Sequence, residues 1–126
     1  MPRVVHFDID SDEPERAIAF YSSVFGWEFE KWEGPIEHWL VTTGPDEEPG
    51  INGGMGVRSE GMLSFNTYRN TIDVPDADAY AARVREAGGQ VLTEKMPIQG
   101  VGWFVACVDT EGNHFGLLES DESAHG

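Results

Sequence analysis

The chain repeats itself at half its length. When the 126-residue sequence is displaced by 63 positions, Ile9-Asp10 aligns with Ile72-Asp73, and Gly26 aligns with Gly89. Between these anchors, each copy holds a strand-like run followed by a helix-like run that ends at glycine. This self-similarity constrains the fold strongly, because two copies of one supersecondary unit must bury their apolar faces together.

In the first copy, apolar and polar residues alternate over residues 5–9, a period of two that predicts a half-buried strand. Ser11 or Asp12 is expected to cap the helix that follows, and Pro14 suits its first turn. Gly26 suits a left-handed helix end. The apolar residues of this helix recur at the spacing of one face, namely Ala17, Phe20, Tyr21 and Val24.

The second copy has the same organisation. Residues 72–74 predict a strand, Pro75-Asp76 a helix start, and Gly88-Gly89 a helix end. Its apolar face comprises Tyr80, Ala81, Val84 and Ala87. Each helix is followed by three strand candidates that turn residues separate. These candidates are residues 27–32, 38–43 and 51–57 in the first copy, and residues 90–94, 102–109 and 114–119 in the second.

The pattern predicts an α+β fold of two βαβββ modules whose curved mixed sheet surrounds a central cavity. One domain is expected over residues 1–120, made of modules 1–60 and 64–120. Residues 121–126 are expected to form a disordered tail.

The net charge is −15, from 23 acidic and 8 basic residues. Nucleic acid is not an expected partner, because phosphate binding needs clustered cations and none cluster in this sequence. Scattered acids repel one another at low salt and are screened at high salt, so we hypothesise a halophilic source. A melting temperature that rises from dilute buffer to molar salt is the expected result, and an unchanged one favours an ordinary acidic protein.

No apolar run approaches the roughly 18 residues of a membrane helix, and residues 1–6 lack a signal-peptide pattern. We therefore expect a cytoplasmic protein with no membrane partner. Cys107 is the single cysteine and lies in an apolar run, which indicates a buried, inert thiol.

Two stretches carry a family resemblance. The first extends from His6 to Trp27 and contains AIAFYSSVFGW. The second is PIQGVGWFVACVDTEGNHFGLLES, in which an Asp-x-x-Gly-Asn turn leads into the last strand. Together they resemble the glyoxalase/bleomycin-resistance/dioxygenase (vicinal oxygen chelate) superfamily. The resemblance implies the two-module fold, a small-molecule ligand and a homodimer.

In metal-dependent members of that superfamily, each module supplies a divalent ion with one side chain from its first strand and one from its last, usually His and Glu. His6 matches the first position. Arg69 stands at the second and cannot lose its proton to bind a metal. Gly116 and its repeat counterpart Gly53 stand where carboxylates are expected. Glu119 would serve only if the strand register shifted, because it lies three residues past Gly116 and points to the opposite face. No cofactor is therefore expected, with a divalent metal as the alternative.

Strand alternation predicts that His6 and Asp8 share one face of their strand, as do Arg69, Thr71 and Asp73. One interpretation is ligand binding, with Arg69 as the partner of a carboxylate or phosphate and His6, tuned by Asp8, as a general base. The other is a structural Arg69–Asp8 ion pair.

Trp39 and Trp103 fall in matched strands, and glycines at positions 53, 54, 56, 102 and 116 favour a nearby space for a flat apolar ligand. Burial of the two indoles in the core is the alternative. Roles are not assigned to His38, His114 or His125. The expected ligand-binding residues are His6, Asp8, Trp39, Gly53, Arg69, Thr71, Trp103 and Gly116.

Three functions are compatible with the sequence. The first is a metal-independent protein that binds a small, anionic or aromatic molecule, either of the bleomycin-resistance kind or an enzyme that uses His6 in acid–base chemistry. The second is a metal-dependent lyase or dioxygenase. The third is a non-catalytic subunit or sequestering module.

Overall fold

The computed structural model describes residues 2–58 and 68–125 and has the predicted α+β composition. The chain divides into two compact units. The first unit is His6–Tyr68, and the second unit comprises Met1–Val5 and Arg69–Gly126. Neither helix in the described part of the chain is long and apolar enough to cross a membrane.

The first unit is a four-stranded arrangement with one helix. Its strands pair in the order β2-β3-β4-β1, with β1 parallel to β4 and the other pairs antiparallel. The elements are β1 (Arg3–Ser11), α1 (Pro14–Phe25), β2 (Glu28–Lys31), β3 (His38–Thr42) and β4 (Gly53–Val57).

The second unit repeats this plan, with β5 parallel to β9 in the order β5-β9-β8-β6. It adds a short strand, β7, where residues 97–100 were expected to be a break between strands; β7 pairs with the start of β8. The elements are β5 (Tyr68–Asp73), α2 (Ala77–Glu86), β6 (Gln90–Val91), β7 (Met96–Ile98), β8 (Gly102–Val108) and β9 (His114–Ser120).

The start of α1 differs from the prediction. Glu13 is the N-cap residue and its side chain makes no capping hydrogen bond. The two expected caps are engaged elsewhere, since Ser11 Oγ donates to Gly56 O at 3.2 Å and Asp12 Oδ2 lies 2.6 Å from Arg58 Nη1. The end of α1 is as predicted, with Gly26 left-handed at φ 75°.

The inward face of α1 also differs from the predicted stripe. Ala17, Ile18 and Tyr21 pack against the core of the first unit. Phe20 and Val24 were expected beside them but remain 56% and 54% exposed. A helix turns about 100° per residue, so a face centred on Ile18 and Tyr21 leaves these two side chains to one side. The core that α1 covers consists of Phe7, Ile9, Trp39, Val41 and Met55.

The core of the second unit follows the predicted helix face. Ala81 is buried, and Tyr80 and Val84 pack against the same cluster. Cys107 is fully buried there, and burial raises the pKa of its thiol to about 11. Because the thiolate is the reactive form, this environment agrees with the inert role expected for Cys107. The buried members of the cluster are Val74, Ala77, Ala81, Val105, Cys107 and Leu117.

Two carboxylates cap the start of α2. Asp76, the predicted start residue, accepts a hydrogen bond from Ala79 N at 3.0 Å. Glu119 of β9 reaches across and accepts one from Ala77 N at 2.9 Å. The structure therefore places the Glu119 carboxylate on the helix side of β9, opposite Gly116, as strand alternation predicted.

Replacing Glu119 by Ala is expected to lower the free energy of unfolding by about 1 kcal/mol, because Ala77 N then loses its acceptor. Glu119→Gln keeps an oxygen acceptor without the charge, so its free energy of unfolding should lie between those of the wild type and Glu119→Ala. Urea denaturation measures the effect, and Glu94→Ala, at an exposed position of the same unit, is the matched control. Equal stabilities of Glu119→Ala and Glu94→Ala would contradict the capping role.

The expected disorder after Ser120 is wrong for residues 121–125. Asp121 N donates to Val101 O at 2.9 Å, and Gly100 N donates to Ala124 O at 3.1 Å. Trp103 Nε1 donates to Asp121 Oδ2 at 3.1 Å, and Ala124 is buried. Although polar in composition, the segment is held because it satisfies backbone groups at the start of β8.

Candidate functional site

The first unit has an open face, which we define as the side of β1, β3 and β4 opposite α1. His6 and Asp8 lie on this face, as predicted, with His6 Nε2 3.5 Å from Asp8 Oδ1. Their side chains are 38% and 24% exposed, so both remain accessible to a ligand. Pairing then places Gly54 beside Asp8, and Leu40 beside Gly54.

His38 joins this pair across Gly54 and Gly56 of β4, two glycines that we call the glycine floor. A Cβ placed on Gly54 would stand 2.6 Å from His38 Nε2 and 2.9 Å from Asp8 Oδ1, so both side chains lean over that residue. Above Gly56, the nearest such atom is His38 Nδ1, at 3.8 Å. Sequence reasoning gave His38 no role. In β3, His38 and Leu40 alternate with the buried residues Trp39 and Val41. This alternation is the sequence signal that could have placed His38 on the face of His6.

An indole stands at the edge of the open face. Trp32 N donates to His38 O at 2.8 Å, and the two rings meet edge to face with centroids 6.1 Å apart. The Trp32 ring rests on the backbone of Gly34, where a Cβ would come within 2.2 Å of it. Trp32 is therefore held in place although it is 40% exposed, and it was not among the predicted site residues.

Gly53 does not belong to the open face. It pairs with Phe7 and Val41, and a Cβ on Gly53 would stand 2.8 Å from the Phe7 ring on the helix side. The repeat had equated Gly53 with Gly116. In the structure, Gly116 pairs with Thr71, whereas Asp8, 63 residues before Thr71, pairs with Gly54. The parallel pairing differs by one residue between the units, and a one-residue change moves a side chain to the other face.

The two tryptophans predicted to stack a ligand lie on the helix sides of their units. Trp39 is buried in the core beneath α1, and Lys31 Nζ lies 5.0 Å from the centre of its ring. Trp103 is opposite Glu119 and bonds Asp121, with Lys95 over its ring. The ligand-stacking interpretation is therefore wrong for Trp39 and Trp103, because alternation along β3 and β8 turns both toward a helix.

The remaining predicted residues, Arg69, Thr71 and Gly116, lie on the side of β5 and β9 opposite α2. Thr71 is buried and pairs with Gly116. A Cβ on Gly116 would stand 2.3 Å from the Phe104 ring and 3.3 Å from Thr71 Oγ1. The expected space at this glycine is filled by Phe104. Arg69 is partly buried at the start of β5, and Asp73 accepts a hydrogen bond from Ser120 Oγ at 3.4 Å.

The described residues do not bring together a donor set for a catalytic metal. Across residues 2–58 and 68–125, no three His, Cys, Asp or Glu side chains converge as ligands. His6 occupies a matching position, but Arg69 is a cation and Gly116 has no donor atom. Glu119 caps α2 instead. The first unit instead brings a carboxylate and an imidazole together, with Asp8 Oδ1 facing His6 Nε2.

Comparison with known proteins agrees with this architecture. A family model described as a glyoxalase-like domain matches residues 5–118. CFP32 of Mycobacterium tuberculosis is 34% identical over 110 residues, which are 86% of this chain and 41% of CFP32. Lactoylglutathione lyase of Salmonella typhimurium is 29% identical over 98% of this chain and 97% of the enzyme. The chain thus spans less than half of CFP32 but nearly all of the Salmonella enzyme.

Solved structures show the same fold. Methylmalonyl-CoA epimerase from Mycobacterium tuberculosis superimposes with a TM-score of 0.65 over 94% of this chain and 87% of the epimerase, at 17% identity. An identity this low shows the fold alone. The two-unit α+β architecture and the family model over residues 5–118 lead to one conclusion: the chain belongs to the glyoxalase-like domain family of the vicinal oxygen chelate superfamily.

Proposed function

We propose that this protein binds a small organic molecule on the open face of its first unit without a catalytic metal, and that His6 exchanges a proton with that molecule. The observation that carries the proposal is the His6–Asp8 pair at 3.5 Å on a partly exposed face. In this proposal, Asp8 orients the imidazole for that exchange. His38, on β3, leans over the same glycine floor from the other side of β4.

The second unit carries a cation that can bind an anionic group. The Arg69 guanidinium is permanently charged and can pair with a carboxylate or phosphate through two parallel hydrogen bonds. Thr71 lies on the same strand face, two residues along β5, and is buried. The protein would act in the cytoplasm, and its acidic surface suits a halophilic source.

A compound panel tests binding. S-lactoylglutathione and methylmalonyl-CoA represent the named chemistry of the Salmonella relative and of the mycobacterial epimerase, and bleomycin represents the superfamily resemblance. Melting temperature with each compound, followed by calorimetry, identifies binders. His6→Ala is expected to weaken the affinity of a binder on the first unit about tenfold, and Arg69→Ala that of an anionic binder on the second, each a loss of about 1.4 kcal/mol. His125→Ala, at an exposed position, is the control and should bind as the wild type does.

The panel also separates binding from a structural role. Loss of affinity with an unchanged melting temperature supports the proposal. Loss of stability with unchanged affinity would favour a structural role for these polar residues, as in a non-catalytic module. A panel in which no compound shifts the melting temperature would contradict binding of these chemical classes.

The relationship to lactoylglutathione lyase keeps a metal-dependent lyase as the second candidate. Elemental analysis of untagged protein, purified without chelator, measures bound Zn, Ni, Mn and Mg. The proposal expects far less than one metal ion per chain and no change in melting temperature when these ions are added. A full equivalent of metal that His6→Ala abolishes would establish the lyase-type site and overturn the proposal.

A further inference from the structure

The open face of the first unit has an apolar end beside its polar residues. Trp32, directly after β2, is 40% exposed, and Leu40, two residues past His38 on the same side of β3, is 45% exposed. His6 and Asp8 lie on β1, at the other side of the glycine floor. The face therefore combines hydrogen-bonding groups with exposed apolar surface, which is the composition of a small-molecule site.

The exposed indole of Trp32 is held in one position. Its backbone N–H donates to His38 O at 2.8 Å and so continues the β2–β3 ladder past Lys31. A Cβ on Gly34 would stand 2.2 to 2.5 Å from three atoms of the indole's six-membered ring, so that ring packs directly on the glycine. A ligand that stacks on Trp32 therefore loses little affinity to ordering it.

The rings of Trp32 and His38 form a corner. Their planes stand at 86° to each other, with centroids 6.1 Å apart. A planar aromatic group that enters this corner meets the face of one ring and the edge of the other. Aromatic pairs prefer these two geometries, because the face of each ring is electron-rich and its edge is electron-poor. A saturated ring has no such face, so the corner favours a planar ligand.

The distance between the corner and the polar residues sets the size of the ligand. Asp8 Oδ1 and His38 Nε2 lean over Gly54 of β4. In the strand order β2-β3-β4, two spacings of about 4.8 Å, or about 10 Å in all, separate β4 from β2, which leads into Trp32. A fused two-ring molecule spans this distance, with a polar substituent that reaches Asp8.

We propose that the ligand of the open face is a planar, fused aromatic molecule that carries a hydroxyl group, and that Trp32 determines this specificity by stacking against it. The inference rests on the proposed function, because it takes the His6–Asp8 pair as the polar end of the same site. Trp32 takes the stacking role that the sequence had suggested for Trp39 and Trp103.

Two alcohols with one carbon skeleton test the proposal. Calorimetry compares 2-naphthol, which is planar, with decahydro-2-naphthol, which is saturated. The wild type should bind 2-naphthol about fivefold more tightly than decahydro-2-naphthol, and Trp32→Leu should bind the two alike. Absence of 2-naphthol binding, equal affinities in the wild type, or a full preference retained by Trp32→Leu would each overturn the proposal.

A second variant moves the indole without replacing it. The φ of Gly34 is not positive, so Gly34→Ala acts through its methyl group, which must push the Trp32 ring aside. This variant should lose the preference for 2-naphthol. Gly44→Ala is the matched control, since no atom lies within 4 Å of its added Cβ, and it should bind as the wild type does. Equal preferences in the two glycine variants would contradict recognition by a fixed ring.

Nuclear magnetic resonance locates the bound ring. Titration with 2-naphthol should shift the indole N–H resonance of Trp32, which Trp32→Leu identifies by its disappearance. The indole N–H of Trp103 donates to Asp121 on the helix side of the second unit, and its resonance should stay in place. Binding that shifts Trp103 and leaves Trp32 unchanged would refute the assignment.

His6→Ala separates this inference from the proposed function on which it rests. That variant should weaken binding of both alcohols and keep the preference for 2-naphthol. If His6→Ala weakens both but the wild type shows no preference, the stacking role of Trp32 fails and the proposed function stands. If Trp32→Leu abolishes the preference but His6→Ala changes neither affinity, the stacking role stands and the proposed role of His6 fails.

Discussion

Gly102→Ala is expected to destabilise the protein by about 3 kcal/mol or more, at the upper end of what overpacking costs. A Cβ on Gly102 would stand 2.1 Å from Glu119 O and 3.0 Å from Glu119 C. Both are backbone atoms of β9, so no side-chain rotation can relieve the clash. The β8–β9 ladder, which joins seven residue pairs, must separate at this end.

Thermal denaturation measures this effect. For a domain of this size, the expected loss corresponds to a melting temperature lower by about 10 °C or more. Gly44→Ala is the matched control, because no atom lies within 4 Å of its added Cβ and its φ is not positive. That variant should be unchanged or slightly stabilised through a stiffer unfolded chain. If Gly102→Ala has the same melting temperature as Gly44→Ala, then β8 and β9 can separate at this end without loss of stability.

The second large effect is expected at the glycine floor of the open face. Gly54→Ala should weaken binding of whichever panel compound binds the wild type by about tenfold, or about 1.4 kcal/mol. Its added methyl group would stand 2.6 Å from His38 Nε2 and 2.9 Å from Asp8 Oδ1 and must displace both. These are ends of side chains, which can rotate away, so the stability should change little.

Gly56→Ala provides the matched control on the same strand and the same face. Its added Cβ meets only His38 Nδ1, at 3.8 Å, which is an ordinary contact. Proton–nitrogen spectra of the imidazole rings give a readout that needs no ligand: the His6 and His38 resonances should move in Gly54→Ala and stay in place in Gly56→Ala. Identical spectra for the two variants would show that the side chains do not meet over Gly54.

The fold follows from the sequence to a large extent. The 63-residue repeat and the alternation of residues 5–9 specify two units with one helix each, and the structure has both. Local turn chemistry identified the end of α1 at Gly26 and the start of α2 at Asp76. The predicted cap of α1 was wrong because Ser11 and Asp12 bond to Gly56 and Arg58, and those tertiary partners are invisible to a local pattern.

The candidate site was only partly predictable. Alternation along one strand placed His6 with Asp8, because that requires nothing beyond the period of two. Placing His38 and Gly54 beside Asp8 requires the pairing of β3, β4 and β1, which a single strand does not encode. The same limitation misplaced Gly53, Trp39 and Trp103, whose directions depend on which face each paired strand turns toward its helix.

The spacing within the two parallel pairs has a consequence for redesign. Residue 7 aligns with residue 53 in the first unit, a span of 46, whereas residue 70 aligns with residue 115 in the second, a span of 45. A perfectly symmetric protein built by duplicating either half must therefore adopt one span and discard the other. If β9 replaced β4 at the sequence offset of 63, its residues would be shifted by one position in the pairing with β1. Its apolar side chains would then point away from the core.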